Sequence, residues 1–150
     1  NQAVLEKLLV KLDIVPPSLA ITQAAIESGW GTSRFALEGN ALFGQWVWGD
    51  AEGLLPLNRD EGKDHKIKTF QYLLDSVVSY MININRNSSY AELRRIRHDM
   101  RQNERTLTGL PLTKGLVLYS ERRESYVEDL QNIMEYNKLS ALDQASLAPR

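Results

Sequence analysis

Between Pro17 and Ser33 the chain can only build an apolar helix that stops abruptly beside one carboxylate. The run Leu19-Ala20-Ile21-Thr22-Gln23-Ala24-Ala25-Ile26 has helical composition, and Pro17 suits a first turn, where its missing N–H has no intrahelical partner to lose. Helical spacing puts Glu27 above Ala20, Gln23 and Ala24, so small side chains share its face. Gly29 and Gly31 supply the positive φ that ends the helix and turns the chain. Trp30 follows at i+3 and is expected to shelter the carboxylate. A carboxyl group so placed is expected to keep its proton to higher pH, because desolvation disfavours the charged form. That is the property a general acid needs near neutral pH. The plainer alternative is a solvated surface glutamate, although a helix C-terminus is an adverse place for a negative charge.

With 150 residues and 43% hydrophobic content, the chain suffices for one domain that buries about 68–70% of its unfolded surface. It has no cysteine, which excludes disulfides, thiolate metal sites and a cysteine nucleophile. A formal charge of −1 argues against general nucleic-acid binding. No apolar run approaches the roughly 20 residues of a membrane span, and no signal peptide is visible. The start at Asn1 suggests a processed or truncated product. His65 and His98 lie far apart without carboxylates at ligand spacing, so neither a metal nor another cofactor is expected.

Leu5, Leu8, Leu9 and Leu12 recur at helical spacing ahead of Pro16-Pro17. Ser33 is a candidate cap for a short helix over 34–38, closed by Gly39. Residues 40–70 differ in character, with four glycines, Trp46 and Trp48, and alternation in Gln45–Trp48 and again in Lys66–Phe70. They predict a small hairpin or irregular β lobe turning near Asp60-Glu61-Gly62. Trp46 and Trp48 are expected to face opposite sides, one stacking on a sugar ring and one packing, with packing of both the alternative. Leu74, Val77, Val78, Met81 and Ile82 form an apolar stripe on the next helix. Ser89–Glu92 matches a capping box for a helix that fades by Thr108-Gly109. Its arginines 94, 97, 101 and 105, interleaved with Glu92, Asp99 and Glu104, read as a salt-laced solvated face. A long helix over about 114–138 carries Tyr119 and Tyr126 seven apart on one face, where core packing also explains them. The tail from Asp143 is expected to fray.

Ala24-Ala25-Ile26-Glu27-Ser28-Gly29-Trp30-Gly31, followed by Gly39-Asn40-Ala41-Leu42-Phe43-Gly44, resembles the peptidoglycan β-N-acetylglucosaminidases of glycoside hydrolase family 73. Tyr119-Ser120-Glu121-Arg122, Phe70, Tyr80 and the closing Tyr126…Asn137-Lys138-Leu139 extend the resemblance over nearly the whole chain. It implies one mainly helical α+β domain over 1–150, lysozyme-like, with a helical lobe and a small β lobe at about 40–70 flanking a glycan cleft. Glu27 matches the family's acid. A second carboxylate falls at Glu61 or Asp60, with Glu52 behind them. Tyr119 and Tyr126 match the paired tyrosines of the last helix, although Arg122-Arg123-Glu124-Ser125 stands where relatives carry Asp-Pro. Trp30, Asn40, Phe43, Trp46 and Trp48 are the candidate substrate contacts, and Ala41 replaces a second asparagine.

The function so implied is hydrolysis of the β-1,4 bond after N-acetylglucosamine in peptidoglycan, by a monomer in the periplasm, cell envelope or extracellular space. The second step uses either water activated by Glu61 or the substrate's 2-acetamido oxygen assisted by Tyr119 or Tyr126. Competing readings are a lysozyme-like muramidase or lytic transglycosylase, and a silent glycan-binding module.

Overall fold

The computed structural model describes residues 1–57, 65–146 and 148. Helices α1 (Gln2–Lys11), α2 (Pro17–Glu27), α3 (Arg34–Gly39), α4 (Leu73–Arg86), α5 (Ala91–Gln102), α6 (Gly109–Leu112) and α7 (Glu124–Tyr136) are joined by strands β1 (Trp46–Val47), β2 (Gly53–Leu54) and β3 (Lys66–Lys68). The fold is α+β, mainly helical, with one small antiparallel sheet, as in lysozyme-like proteins. The chain divides into two compact units, Asn1–Thr22 with Asn83–Arg150, and Gln23–Ile82.

The first unit centres on side chains such as Leu19, Leu93, Leu112 and Leu130, all fully buried. Gly115 is required there, because a Cβ on it would stand 2.3 Å from the Leu93 backbone. The arginine stripe is solvated at Arg101 and Arg105 but not at Arg94 and Arg97. Arg97, 1% exposed, donates to the carbonyls of Lys11, Asp13 and Ile14 and to Asn85 Oδ1 at 2.7–3.1 Å. Arg94 is buried and donates to the Ile84 and Asn87 carbonyls. Both guanidinium groups therefore satisfy the orphan carbonyls left where α1 and α4 end. Arg101 grips Asp13 through two bonds of 2.9 Å. Partial burial is the largest single influence on Asp13 and opposes its ionisation, but the Arg101 hydrogen bond, the Ile14 N–H and the charges of Arg101 and Arg97 together outweigh it and hold the carboxyl below its ordinary range. Arg105 and Asp99 form an exposed pair of the kind the sequence pattern suggested.

Several boundaries also differ from expectation. The capping box is absent: Asn87 caps a 3-10 turn over Ser88–Tyr90, and Glu92 pairs with Arg95 instead. α5 stops at Gln102, and α6 is a separate turn. No single helix covers 114–138. A 3-10 turn over Thr113–Leu116 gives way to turns before α7 starts at Glu124. Ser120 and Ser125 compete for the backbone in this break, since Arg122 N–H donates to Ser120 Oγ and Ser125 Oγ donates to Arg122 O.

Asp143 is not frayed. Its carboxylate accepts from Ser18 N–H (2.8 Å), Ser18 Oγ (2.7 Å) and Gly109 N–H (2.9 Å). It thus caps the N-terminal turns of α2 and α6, where the helix dipole favours an anion. Asp143→Ala is expected to lower the unfolding free energy by about 2–3 kcal/mol, read from the urea midpoint. A wild-type midpoint would remove this cap assignment.

In the second unit β3 is the central strand, pairing Ile67 with Trp46 and with Leu54. β2 has no alternating pattern of its own. Its Gly53 sits where a Cβ would come 2.7 Å from Ile67 O, so close strand approach selects glycine. Ser33 caps α3 as expected, its side chain accepting from Ala36 N–H. The left-handed residue after α3 is Asn40 (φ 50°), not Gly39. Gly39 is instead required by crowding, because a Cβ there would lie 2.8 Å from Thr69. On α4 the expected stripe is only partly turned inward: Val77 and Met81 are half-buried, but Leu74 (68% exposed), Val78 and Ile82 are exposed, whereas Ser76 and Tyr80 are fully buried.

Candidate active site

Glu27 is the last residue of α2 and is half-buried. The helix ends through paired bonds, Gly29 N–H to Ile26 O and Trp30 N–H to Ala25 O, the Schellman arrangement that satisfies terminal carbonyls. Gly29 (φ 58°), Trp30 (φ 56°) and Gly31 (φ 77°) then form a left-handed run. Ser28 Oγ locks this turn, donating to Ala24 O and accepting from Gly31 N–H at 2.8 Å. The glycines therefore turn the chain as expected. Trp30 does not shelter the carboxylate: it is 63% exposed, because left-handed backbone turns its side chain outward.

Gly44 borders the carboxylate from the facing loop. It has φ 58°, and a Cβ built on it would stand 3.3 Å from Glu27 Oε2. A side chain there would be strained by φ and crowded by the carboxylate. The loop is pinned on both sides. Asn40 donates from Nδ2 to the Phe70 and Gln71 carbonyls at 3.0 and 3.1 Å, and Leu42 N–H donates to Ser76 Oγ at 3.1 Å. Ala41 is buried.

Phe43 is buried too, stacked on the Tyr80 ring at 4.0 Å between centroids and 9° between planes. It supports the loop rather than offering a surface to glycan. Trp46 and Trp48, 51% and 63% exposed, have ring centroids 6.4 Å apart. They share a side, contrary to the expected opposition, because residues i and i+2 of an extended chain point the same way. His65 stacks on Trp46 at 4.4 Å.

In the other unit, Tyr119 and Tyr126 stack at 5.7 Å with planes 3° apart. They do not share a helix face, since Tyr119 lies in the turn before α7 and Tyr126 in its first turn. The break between them, with Arg123 at φ 53° and ψ −120°, brings the rings into register. Tyr90 adds a third ring 5.7 Å from Tyr119; nothing in its local sequence pattern signals that role. Arg122 lies over the Tyr126 ring at 5.7 Å.

The glucosaminidase family model, described as mannosyl-glycoprotein endo-beta-N-acetylglucosaminidase, matches residues 3–139. The chain belongs to this family. It is also similar to the protein bax of Escherichia coli (strain K12), 34% identical over 119 residues, which are 79% of this chain and 42% of that protein. The chain thus spans less than half the length of that relative. No solved structure matches it significantly.

Membership in the glucosaminidase family implies a glycoside-hydrolase-type function. Of the candidate second carboxylates of this family member, Asp60 and Glu61 lie outside the described residues. Glu52 is exposed just before β2. Among the described residues no group of three or more His, Asp or Glu is placed to hold a metal ion, and no helix is long and apolar enough to cross a membrane. The residues to which sequence reasoning gave no site role are Ser28, Ser76 and the buried pair Gln23 and Tyr80, whose hydroxyl donates to Gln23 Oε1 at 2.6 Å. The i−4 spacing of Gln23 from Glu27 signalled one of them, and the family resemblance ran through Ser28 and Tyr80.

Proposed function

We propose that residues 1–150 act as one glucosaminidase domain that cleaves the β-1,4 bond after N-acetylglucosamine within peptidoglycan strands, outside the cytoplasm. The observation that carries this reading is the placement of Glu27. It is half-buried at the C-terminus of α2, with its carboxylate against the side-chain-free Gly44. The negative end of the helix dipole disfavours a charged carboxylate there, and Glu27 is the general acid that protonates the leaving oxygen. Exposed Trp46 and Trp48 offer faces to sugar rings.

Two routes serve the second step. In one, Glu61, or Asp60 in its place, activates water on the opposite face of the sugar, which needs carboxyl groups roughly 6.5–9.5 Å apart. In the other, the 2-acetamido oxygen attacks, and Tyr119 or Tyr126 stabilises the developing charge. Reducing-end analysis of digested peptidoglycan tests the bond assignment. A new reducing N-acetylglucosamine end is expected. A reducing muramic acid end would assign the chain to muramidases, an anhydro product to lytic transglycosylases, and binding without cleavage to a silent glycan module.

A further inference from the structure

We propose that Tyr80 and Gln23 are positioning residues that set the Glu27 carboxyl against the Gly44 backbone; this rests on the reading of Glu27 as general acid. Gln23 lies one turn before Glu27 on α2, and both it and Tyr80 are 0% exposed. The 2.6 Å bond from the Tyr80 hydroxyl to Gln23 Oε1 joins α4 to the turn of α2 that carries Glu27. The other face of this assembly is the Phe43 ring, stacked flat on Tyr80. Phe43 is bonded directly to Gly44, the residue whose absent side chain makes room for Glu27 Oε2. A chain of contacts therefore starts at the helical turn beneath the acid, passes through Gln23, Tyr80 and Phe43, and returns to the carboxyl at Gly44.

The inward face of α4 supports a positioning role over a purely stabilising one. On α4 Leu74 and Val78 are exposed, while polar Ser76 and Tyr80 are fully buried along with Ile84. Ser76 accepts from Leu42 N–H, so it fixes the same loop one residue before Phe43. A helix that buries two polar groups beneath one loop departs from simple apolar patterning there, and such departures concentrate at functional sites.

The test is a kinetic set on soluble peptidoglycan glycan: Tyr80→Phe, Gln23→Met, the double variant and Glu27→Gln. Tyr80→Phe keeps the ring stack and removes only the hydroxyl. A displaced acid is expected to lower kcat by about 10–100-fold, with KM little changed and the alkaline limb of the pH profile shifted from wild type. Gln23→Met should do the same. The double variant, which removes both partners of this bond, should cost no more than the worse single one. Wild-type kcat and pH limb in folded Tyr80→Phe, or in the double variant should the single one not fold, would overturn the proposal even with a lowered Tm. Glu27→Gln keeps the two readings apart. Activity in Glu27→Gln sinks the acid assignment, whereas an inactive Glu27→Gln beside a fully active Tyr80→Phe sinks the positioning alone.

Discussion

Glu27→Gln is expected to cut glycan turnover by at least about 10²-fold, the usual scale for losing a general acid, while the protein stays folded. Glutamine matches the shape of glutamate and still fits beside Gly44, where a Cβ would already come 3.3 Å from Oε2. It has no proton to pass to a leaving oxygen. Stability should hold or rise slightly, because the substitution removes the possibility of negative charge at a helix C-terminus and active-site groups are commonly kept at some cost in stability. Turnover on soluble glycan measured beside a thermal melt checks both halves. Substantial activity in a folded Glu27→Gln protein would end the mechanism proposed here.

Arg97→Ala carries the largest expected loss of stability, about 3–5 kcal/mol, against a typical total of roughly 5–15. The guanidinium is 1% exposed and serves three backbone carbonyls after α1 together with Asn85 Oδ1. Alanine would strand these acceptors and open a cavity. Arg97→Lys should recover only part of the loss, since an ammonium lacks the planar fork that reaches several carbonyls at once. Equilibrium urea unfolding checks the order wild type, Lys, Ala. A loss under about 1 kcal/mol for alanine would mean that water replaces the guanidinium without penalty.

Much around Glu27 was legible because it is written in local chemistry. Pro17, the apolar run and Gly29 bound α2 correctly, since helix starts and stops depend on φ preferences of single residues. Ser33 capped α3 for the same reason. The alternating segments at 46–47 and 66–68 marked two of the three strands. The short strand at Gly53–Leu54 carried no such mark, because it forms only through its pairing with β3.

The sequence by itself determined where α2 starts and stops and which carboxylate ends it. Tertiary structure alone decided which face turns inward. Periodicity on α4 favoured burial of Leu74, Val78 and Ile82, but the loop at 42–44 needed Ser76 and Tyr80, and those are buried instead. The spacing of Arg94 and Arg97 suggested solvent, yet segments 11–14 and 84–87 bring their carbonyls to those side chains. The physical reason is the same in each case. A helix repeat fixes directions around one axis, whereas the partner that satisfies a buried polar group is supplied by another segment of chain, 7 and 10 residues away for Arg94 and up to 86 for Arg97.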